Sequence, residues 1–235
     1  MRVRILGIGM GPQHVTPEVA EALRGCDYVV AASKSADDGL LAIRRAICEA
    51  YDVELVPVPD PERDRADPAD YPGTVRAWHD ARVVAYRAVI EERGGTAGFL
   101  VWGDPSLYDS TIRIVSQLGV EFDVLPGIAA PQLLAAAHRV VLHGVGRPVV
   151  VTTERRLPEA VAAGAENVVV MLTSGFDPAG VEDWQVWWGA NLGTSSARLV
   201  SGRAGDVAET IREMRAEAKA EAGWVMDLYL LRRVP

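Results

Sequence analysis

A chain of 235 residues, 49% apolar and 24% charged, has an ordinary globular balance, which excludes wholesale disorder and leaves room for two small domains. A net charge of −8 and a pI near 5.1 exclude a broad basic face for nucleic acid or an anionic membrane, so positive charge for an anionic ligand has to be local. The two cysteines, Cys26 and Cys48, form no zinc or disulfide pattern, and neither a signal peptide nor a membrane-length apolar run is seen; reduced structural thiols and a cytoplasmic location are expected.

The first half alternates strand and helix. Residues 3–8 read as a buried strand followed by a glycine turn. Thr16-Pro17-Glu18 combines an N-cap, a proline at the first helical position and an early acid, which predicts a helix to about Arg24 that stops at Gly25. A strand at 28–32, a helix at about 37–51 and a strand at 53–58 follow. A long helix is expected over 75–93, then a strand at 98–102, a helix at 112–118 and a strand at 122–125. Near-continuous apolar strands alternating with helices indicate a parallel sheet covered on both faces. After Pro126-Gly127 comes an Ala/Leu-rich helix at 131–137, then strands at 149–152, 168–172, 186–188, 199–201 and 225–231, with a polar helix at 206–222. This half is expected to be a mixed, partly antiparallel α+β domain, so the division is 1–126 and 127–235. The stretch 57–74 holds five of the fourteen prolines and many aspartates, and reads as a long loop that is either a lid or disordered.

Three segments carry candidate chemistry. Gly7-Ile8-Gly9-Met10-Gly11-Pro12 follows the first strand. It fits a dinucleotide fingerprint badly: the spacing is G-x-G-x-G, Pro12 intrudes, the helix starts late, and Ala31-Ala32-Ser33-Lys34 stands where an acid should hold a ribose. A plain glycine turn remains open. Val101-Trp102-Gly103-Asp104-Pro105-Ser106-Leu107-Tyr108 ends the fourth strand, and each of Gly, Asp and Pro is also a turn former. Leu125-Pro126-Gly127-Ile128-Ala129-Ala130 ends the fifth. Ligands of open α/β sheets bind at carboxyl strand ends, and three small-residue loops at one edge describe a crevice lined by backbone.

In order and spacing these segments resemble the tetrapyrrole (corrin/porphyrin) methylases, over essentially the whole chain. The resemblance implies a two-domain α/β fold, with an N-terminal parallel sheet and a C-terminal mixed α+β sheet, that binds S-adenosylmethionine between the domains and releases S-adenosylhomocysteine. Met10 stands where the wider family has a proline, and Trp102 where it has a glycine. The stretches 11–16, 102–111, 188–194 and 223–232 resemble one branch, which implies methylation at ring carbon C-1 and loss of a two-carbon acyl group as acetate. By similarity the cofactor touches Gly9, Met10, Gly11, Trp102, Gly103, Asp104, Leu107, Ala129, Ala130, Met171 or Leu172, and the Leu192-Gly193-Thr194 turn, much of it through backbone. A homodimer is implied as well. A same-fold methylase for another ring position, or for a protein side chain as in diphthamide synthesis, is the alternative. Outside the family, a Rossmann-type redox domain or a non-catalytic binding module is the rival.

The substrate implied is a small-molecule tetrapyrrole with many carboxylates. Residues 138–156 carry His138, Arg139, His143, Arg147, Arg155 and Arg156 against one acid, Glu154, and form the candidate anion site, or else a merely solvated surface. Arg63 and Arg65 are weaker candidates among acids. Trp184, Trp187 and Trp188 read as core before they read as a pocket wall. Methyl transfer needs alignment and exclusion of water, and no metal-ligand cluster is seen. Acyl loss needs a base and an oxyanion donor. Asp104, Tyr108 and His14 are the nominees, although Asp104 also reads as a loop clasp and His14 as a turn cap.

Overall fold

The computed structural model describes residues 1–33, 39–62 and 71–234, and the chain divides into two compact units, Met1–Ile128 and Ala129–Pro235. The first holds β1 (Arg2–Gly7), α1 (Pro17–Arg24), β2 (Tyr28–Ser33), α2 (Gly39–Ala50), β3 (Glu54–Pro59), α3 (Tyr71–Arg93), β4 (Thr96–Val101), α4 (Thr111–Val115) and β5 (Glu121–Leu125). Its five strands are all parallel, in the order β3-β2-β4-β1-β5. Successive strand residues point to opposite faces, and both faces are buried. Val3, Ile5, Tyr28 and Val30 pack with Val83, Tyr86 and Ile90 of α3 and Ile114 of α4. Leu6, Val29 and Leu100 pack with Val19 and Leu23 of α1 and Ile47 of α2. That two-sided burial is why these strands read as unbroken apolar runs.

Local signals act where they were expected. The Thr16 hydroxyl accepts from Val19 N–H at 3.2 Å, Pro17 opens α1, and Gly25 ends it. Pro57 and Pro59 lie within β3, which is an edge strand, where a residue without an N–H leaves no ladder bond unmade. The expected 57–74 loop is therefore shorter than its composition suggests: its first residues extend β3 and its last belong to α3. Proline and glycine at 72 and 73 fall in the first turn of α3, where no intrahelical N–H bond is lost. Residues 63–70, with Arg63 and Arg65, lie outside the described residues, as do Lys34 and the expected start of the second helix at 37.

The second unit holds α5 (Ala130–His138), β6 (Val150–Thr153), α6 (Leu157–Ala162), β7 (Asn167–Met171), β8 (Gln185–Ala190), β9 (Arg198–Arg203), α7 (Ala204–Ala222) and β10 (Asp227–Arg232). Its sheet runs β6-β7-β10-β8-β9, with β6 and β7 parallel and the other neighbours antiparallel. One face packs on α7 through Trp188, Tyr229, Ile211 and Ala218. The other packs on α5 through Leu134, Val169 and Leu230. Trp184 and Trp188 are core residues, and Trp187 lies under the Arg232 guanidinium, 5.0 Å from its ring centroid. The buried Asp227 carboxylate accepts from Trp188 Nε1 and from Arg215 Nε, both at 3.1 Å, so its charge is paired rather than stranded. Cys26 and Cys48 are buried free thiols, each pushed up to about 11 chiefly by burial, and so inert. Among the described residues no helix is long and apolar enough to cross a membrane.

Candidate cofactor site

β1 lies between β4 and β5 and parallel to both, so the segments leaving their carboxyl ends begin side by side. Pairing persists past the strands. Gly103 N–H donates to the Gly9 carbonyl at 2.8 Å and Gly9 N–H donates back at 3.2 Å. Both glycines are left-handed, with φ of +59° and +64°, a conformation costly for residues with a Cβ. Gly127 packs on the same place. A Cβ there would press into the Gly103 carbonyl oxygen and lie 2.7 Å from the Gly7 carbonyl carbon. Three loops thus meet backbone on backbone.

Asp104 ties two of them together. One carboxylate oxygen accepts from Gly127 N–H at 2.9 Å, and the other accepts from Ser106 N–H at 2.9 Å and from the Ser106 hydroxyl. Burial pushes this carboxyl up, but the hydrogen bonds from the Ser106 hydroxyl and the Gly127 and Ser106 amides together hold it below the ordinary value. Asp104 is accordingly a fixed anion that closes the loops. Asp104→Asn turns one acceptor into a donor facing an N–H, and is expected to cost about 2 kcal/mol. Because the folded carboxyl titrates low, its contribution is full above the unfolded value and is lost as pH falls through the lower folded one. Acid unfolding followed by circular dichroism should therefore lose part of its steepness in the variant; an unchanged acid limb would contradict the clasp.

His14 sits in a short 3-10 turn, Pro12–His14, and its ring covers Gly9 so closely that a Cβ on Gly9 would strike the His14 Cβ. Its Nδ1 accepts from Met10 N–H at 3.2 Å, and burial lowers its basicity. The neutral ring then carries its proton on Nε2, which makes it a donor there. Side-chain atoms fill the hollow in which a dinucleotide pyrophosphate would need bare backbone, and α1 starts only at Pro17; the dinucleotide reading fails on geometry. Tyr108 is left-handed at φ +52° and 43% exposed, a strained position of the sort that clusters at ligand sites. Gly11 is backbone of the same turn, and Leu107 N–H bonds the Asp104 carbonyl at 3.2 Å.

In the second unit Ala129 caps α5 and Ala130 opens it. Ala130, Met171 and Leu192 belong to one apolar cluster. The end of β7 and the turn after β8 lie at the same edge of their sheet, since both strands pair antiparallel with β10. Leu172 is left-handed, φ +55°, and 64% exposed, so an apolar side chain is held out at a backbone cost. The Leu192-Gly193-Thr194 turn is closed by Thr194 Oγ1 donating to the Asn191 carbonyl at 2.7 Å. Asn191 is the residue that sequence reasoning missed. It is fully buried, and its side chain accepts from Met226 N–H at 2.9 Å and donates to Ser196 Oγ at 3.1 Å and the Trp224 carbonyl at 3.3 Å. An Asn-x-Gly-Thr string signals a turn, but nothing in it signals burial.

The expected arginine island is split. Arg139 ends α5, His143 and Arg147 lie in the loop before β6, and Arg155 and Arg156 come after β6, so the strand separates the two groups. Arg147 lies 3.5 Å from Glu166, and Arg156 pairs with Glu159 at 2.7 Å. His138 is turned inward, its Nε2 at 2.9 Å from the Trp188 carbonyl. Contiguity in sequence does not make these residues one patch.

Comparison with known proteins agrees with this architecture. The family model for tetrapyrrole (corrin/porphyrin) methylases matches residues 2–208. The precorrin-6A synthase [deacetylating] of a Sinorhizobium species is 42% identical over 249 residues, covering 99% of this chain and 95% of the relative. A solved structure from Corynebacterium diphtheriae, described as a cobalamin synthesis related protein (CobF), is 35% identical, with a TM-score of 0.85 and full coverage of both chains. A Thermus thermophilus uroporphyrin-III C-methyl transferase, solved with S-adenyl homocysteine, shares the fold at 19% identity and a TM-score of 0.62, covering 99% of this chain and 92% of that one. With its sheet order, its glycine-locked loops and a matching relative over nearly its whole length, the chain belongs to the tetrapyrrole (corrin/porphyrin) methylases and is a methyltransferase.

Proposed function

We propose that this chain is the S-adenosylmethionine-dependent C-methyltransferase of cobalamin biosynthesis that methylates precorrin-5 at C-1 and releases acetate to give precorrin-6A, acting in the cytoplasm as a homodimer. The observation that carries this reading is the near-full-length likeness to a precorrin-6A synthase, in a chain whose strand-end loops are lined by backbone. Peptide N–H and C=O groups suit adenine edges and the amino and carboxylate groups of a methionine moiety. When bound, S-adenosylmethionine supplies an already activated methyl group. The chain's own residues then have to orient the ring carbon and exclude water. Cofactor contacts are proposed at Gly9, Met10, Gly11, Trp102, Gly103, Asp104, Leu107, Ala129, Ala130, Met171, Leu172, Leu192, Gly193 and Thr194. The substrate's carboxylates are proposed to meet Arg139, His143, Arg147, Arg155 or Arg156, of which Arg155 and Arg156 stand at the same sheet edge as Leu172.

Acyl removal differs from methyl transfer in needing a proton moved and a carbonyl oxygen stabilised. His14, as an Nε2 donor, suits the second task, and the exposed Tyr108 hydroxyl suits either. Single turnover with labelled methyl donor and precorrin-5, followed by mass spectrometry, tests both levels. Wild type should yield the methylated, deacylated product. His14→Ala or Tyr108→Phe should accumulate the methylated, still acylated one, with deacylation slowed about a hundredfold. Normal deacylation in both variants would remove these residues from the step; no methyl transfer in wild type would remove the function itself.

A further inference from the structure

The second unit carries a carboxylate clasp of its own. Glu154 is the one acid in the arginine-bearing stretch 138–156, and it opens the short turn Glu154–Arg156 after β6. β6 and β7 run parallel with Thr153 opposite Met171, so the segments that leave them start side by side. Across that gap one Glu154 carboxylate oxygen accepts from Ser174 N–H at 2.6 Å and from the Ser174 hydroxyl at 2.8 Å. On the other side of β7, the Thr173 hydroxyl donates to the Asp227 carbonyl at 3.3 Å, at the start of β10. The turn after β7 is therefore pinned from both flanking strands.

What the clasp holds is Leu172. This residue is left-handed, a conformation unfavourable for any residue with a Cβ, and its apolar side chain is largely exposed. Folding gains nothing from an apolar side chain held out in water at a backbone cost. Such a conformation persists only where its surroundings impose it, and the bonds to Glu154 and Asp227 do so here. Stability is not what the Glu154 clasp serves. Ser174 is exposed, so water takes up its N–H and hydroxyl when the carboxylate is removed. An ordinary loop closure in the same segment looks different: Asp177 accepts from Ala179 N–H, two residues away. Glu154 reaches across 20 residues and joins two strand ends. It decides where the turn lies rather than whether the unit folds.

We propose that Glu154 is a positioning residue for cofactor binding: through Ser174 it fixes the turn after β7, so that Leu172 is presented to S-adenosylmethionine in the conformation that binds it. The inference rests on the cofactor contact proposed above at Leu172. Glu154 itself touches no ligand; it removes an ordering cost from the binding step. Without it the turn samples other conformations, and affinity falls by the fraction that remains competent. Arg155 and Arg156 continue the same turn, so the clasp also sets their spacing from Leu172.

The test is the affinity of the full chain for S-adenosylhomocysteine, read by calorimetry, with thermal melting alongside. Glu154→Ala should weaken binding about tenfold. Its melting temperature should move by no more than about 2 °C. Glu154→Gln keeps an accepting oxygen at the same reach and should restore affinity to within about threefold of wild type. The effect should run through Leu172. Leu172→Gly weakens binding by itself, and adding Glu154→Ala to it should weaken binding by no more than about twofold further, because the side chain that the clasp presents is gone. Wild-type affinity in Glu154→Ala or in Leu172→Gly, or the full Glu154→Ala loss repeated on top of Leu172→Gly, overturns the positioning role and leaves the cofactor reading standing. No S-adenosylhomocysteine binding by the folded wild-type chain overturns both. If Glu154→Ala does not fold, Ser174→Ala decides, since it removes the hydroxyl bond alone. Binding about threefold weaker in that variant supports the clasp, and unchanged binding overturns it.

Discussion

Gly127→Ala is expected to destabilise the chain by about 3 kcal/mol and to abolish S-adenosylhomocysteine binding. The added methyl has nowhere to go: it meets the Gly103 carbonyl oxygen on one side and the Gly7 backbone on the other, and backbone cannot rotate aside as a side chain can. Relief requires the loop after β5 to lift. That movement breaks the 2.9 Å bond from Gly127 N–H to Asp104 and frees the loop after β4 as well. Gly164→Ala is the control, because Gly164 is left-handed at φ +83° yet a Cβ there meets nothing within 4 Å. It should cost about 1 kcal/mol, the backbone component alone, and leave ligand binding intact. Urea denaturation and calorimetry give both numbers. Normal binding in Gly127→Ala would detach the three loops from the cofactor.

Asn191→Ala should cost a comparable amount, about 3 kcal/mol, although it removes only a small polar side chain. Truncation leaves Met226 N–H and the Trp224 carbonyl, both part-buried, without this partner, and it places alanine at φ +47°, which asparagine tolerates better. Asn191→Asp should rescue little, since a carboxylate offers no donor to the Ser196 hydroxyl oxygen or the carbonyls of Ala218 and Trp224. Asn191 also sets the 192–194 turn through its own carbonyl, so affinity for S-adenosylhomocysteine should fall together with thermal stability. A variant that melts early but binds normally would confine Asn191 to a structural role.

What the sequence discloses depends on whether the cause is local. Thr16, Pro17 and Glu18 set the start of α1 within one turn, and that start is correct to the residue. The alternation of apolar strands with helices is set by burial on both faces of one sheet, and it too is written in the chain. α6 escaped notice because it is a six-residue segment anchored by one buried residue, Leu157, too short to show a helical period. The start of α3 escaped because Pro72 and Gly73 resemble loop formers, whereas a first helical turn accepts both. The glycine loops were readable as a strand-end edge, but their mutual locking was not, since Gly7, Gly103 and Gly127 are brought together only by strand order. The arginines of 138–156 show the converse: they are neighbours in sequence, but β6 stands between Arg139, His143 and Arg147 on one side and Arg155 and Arg156 on the other.

The place of β1 has a consequence for how the chain is made. This strand leaves the ribosome well before both partners that flank it in the sheet, β4 and β5, which come from Thr96 onward, and its last pairing partner is Leu125. At roughly 5–20 residues per second, Val3, Ile5 and Leu6 wait about 6–24 s before both edges of their strand can be covered. The first unit is thus a high-contact-order element in which the pairing of β1 with β5 closes a loop of about half the chain, and slow folding follows from that loop's entropy. Substitutions that raise the β-pairing tendency of residues 2–7 without helping their native partners should therefore reduce soluble yield during synthesis while leaving the stability of the finished protein almost unchanged.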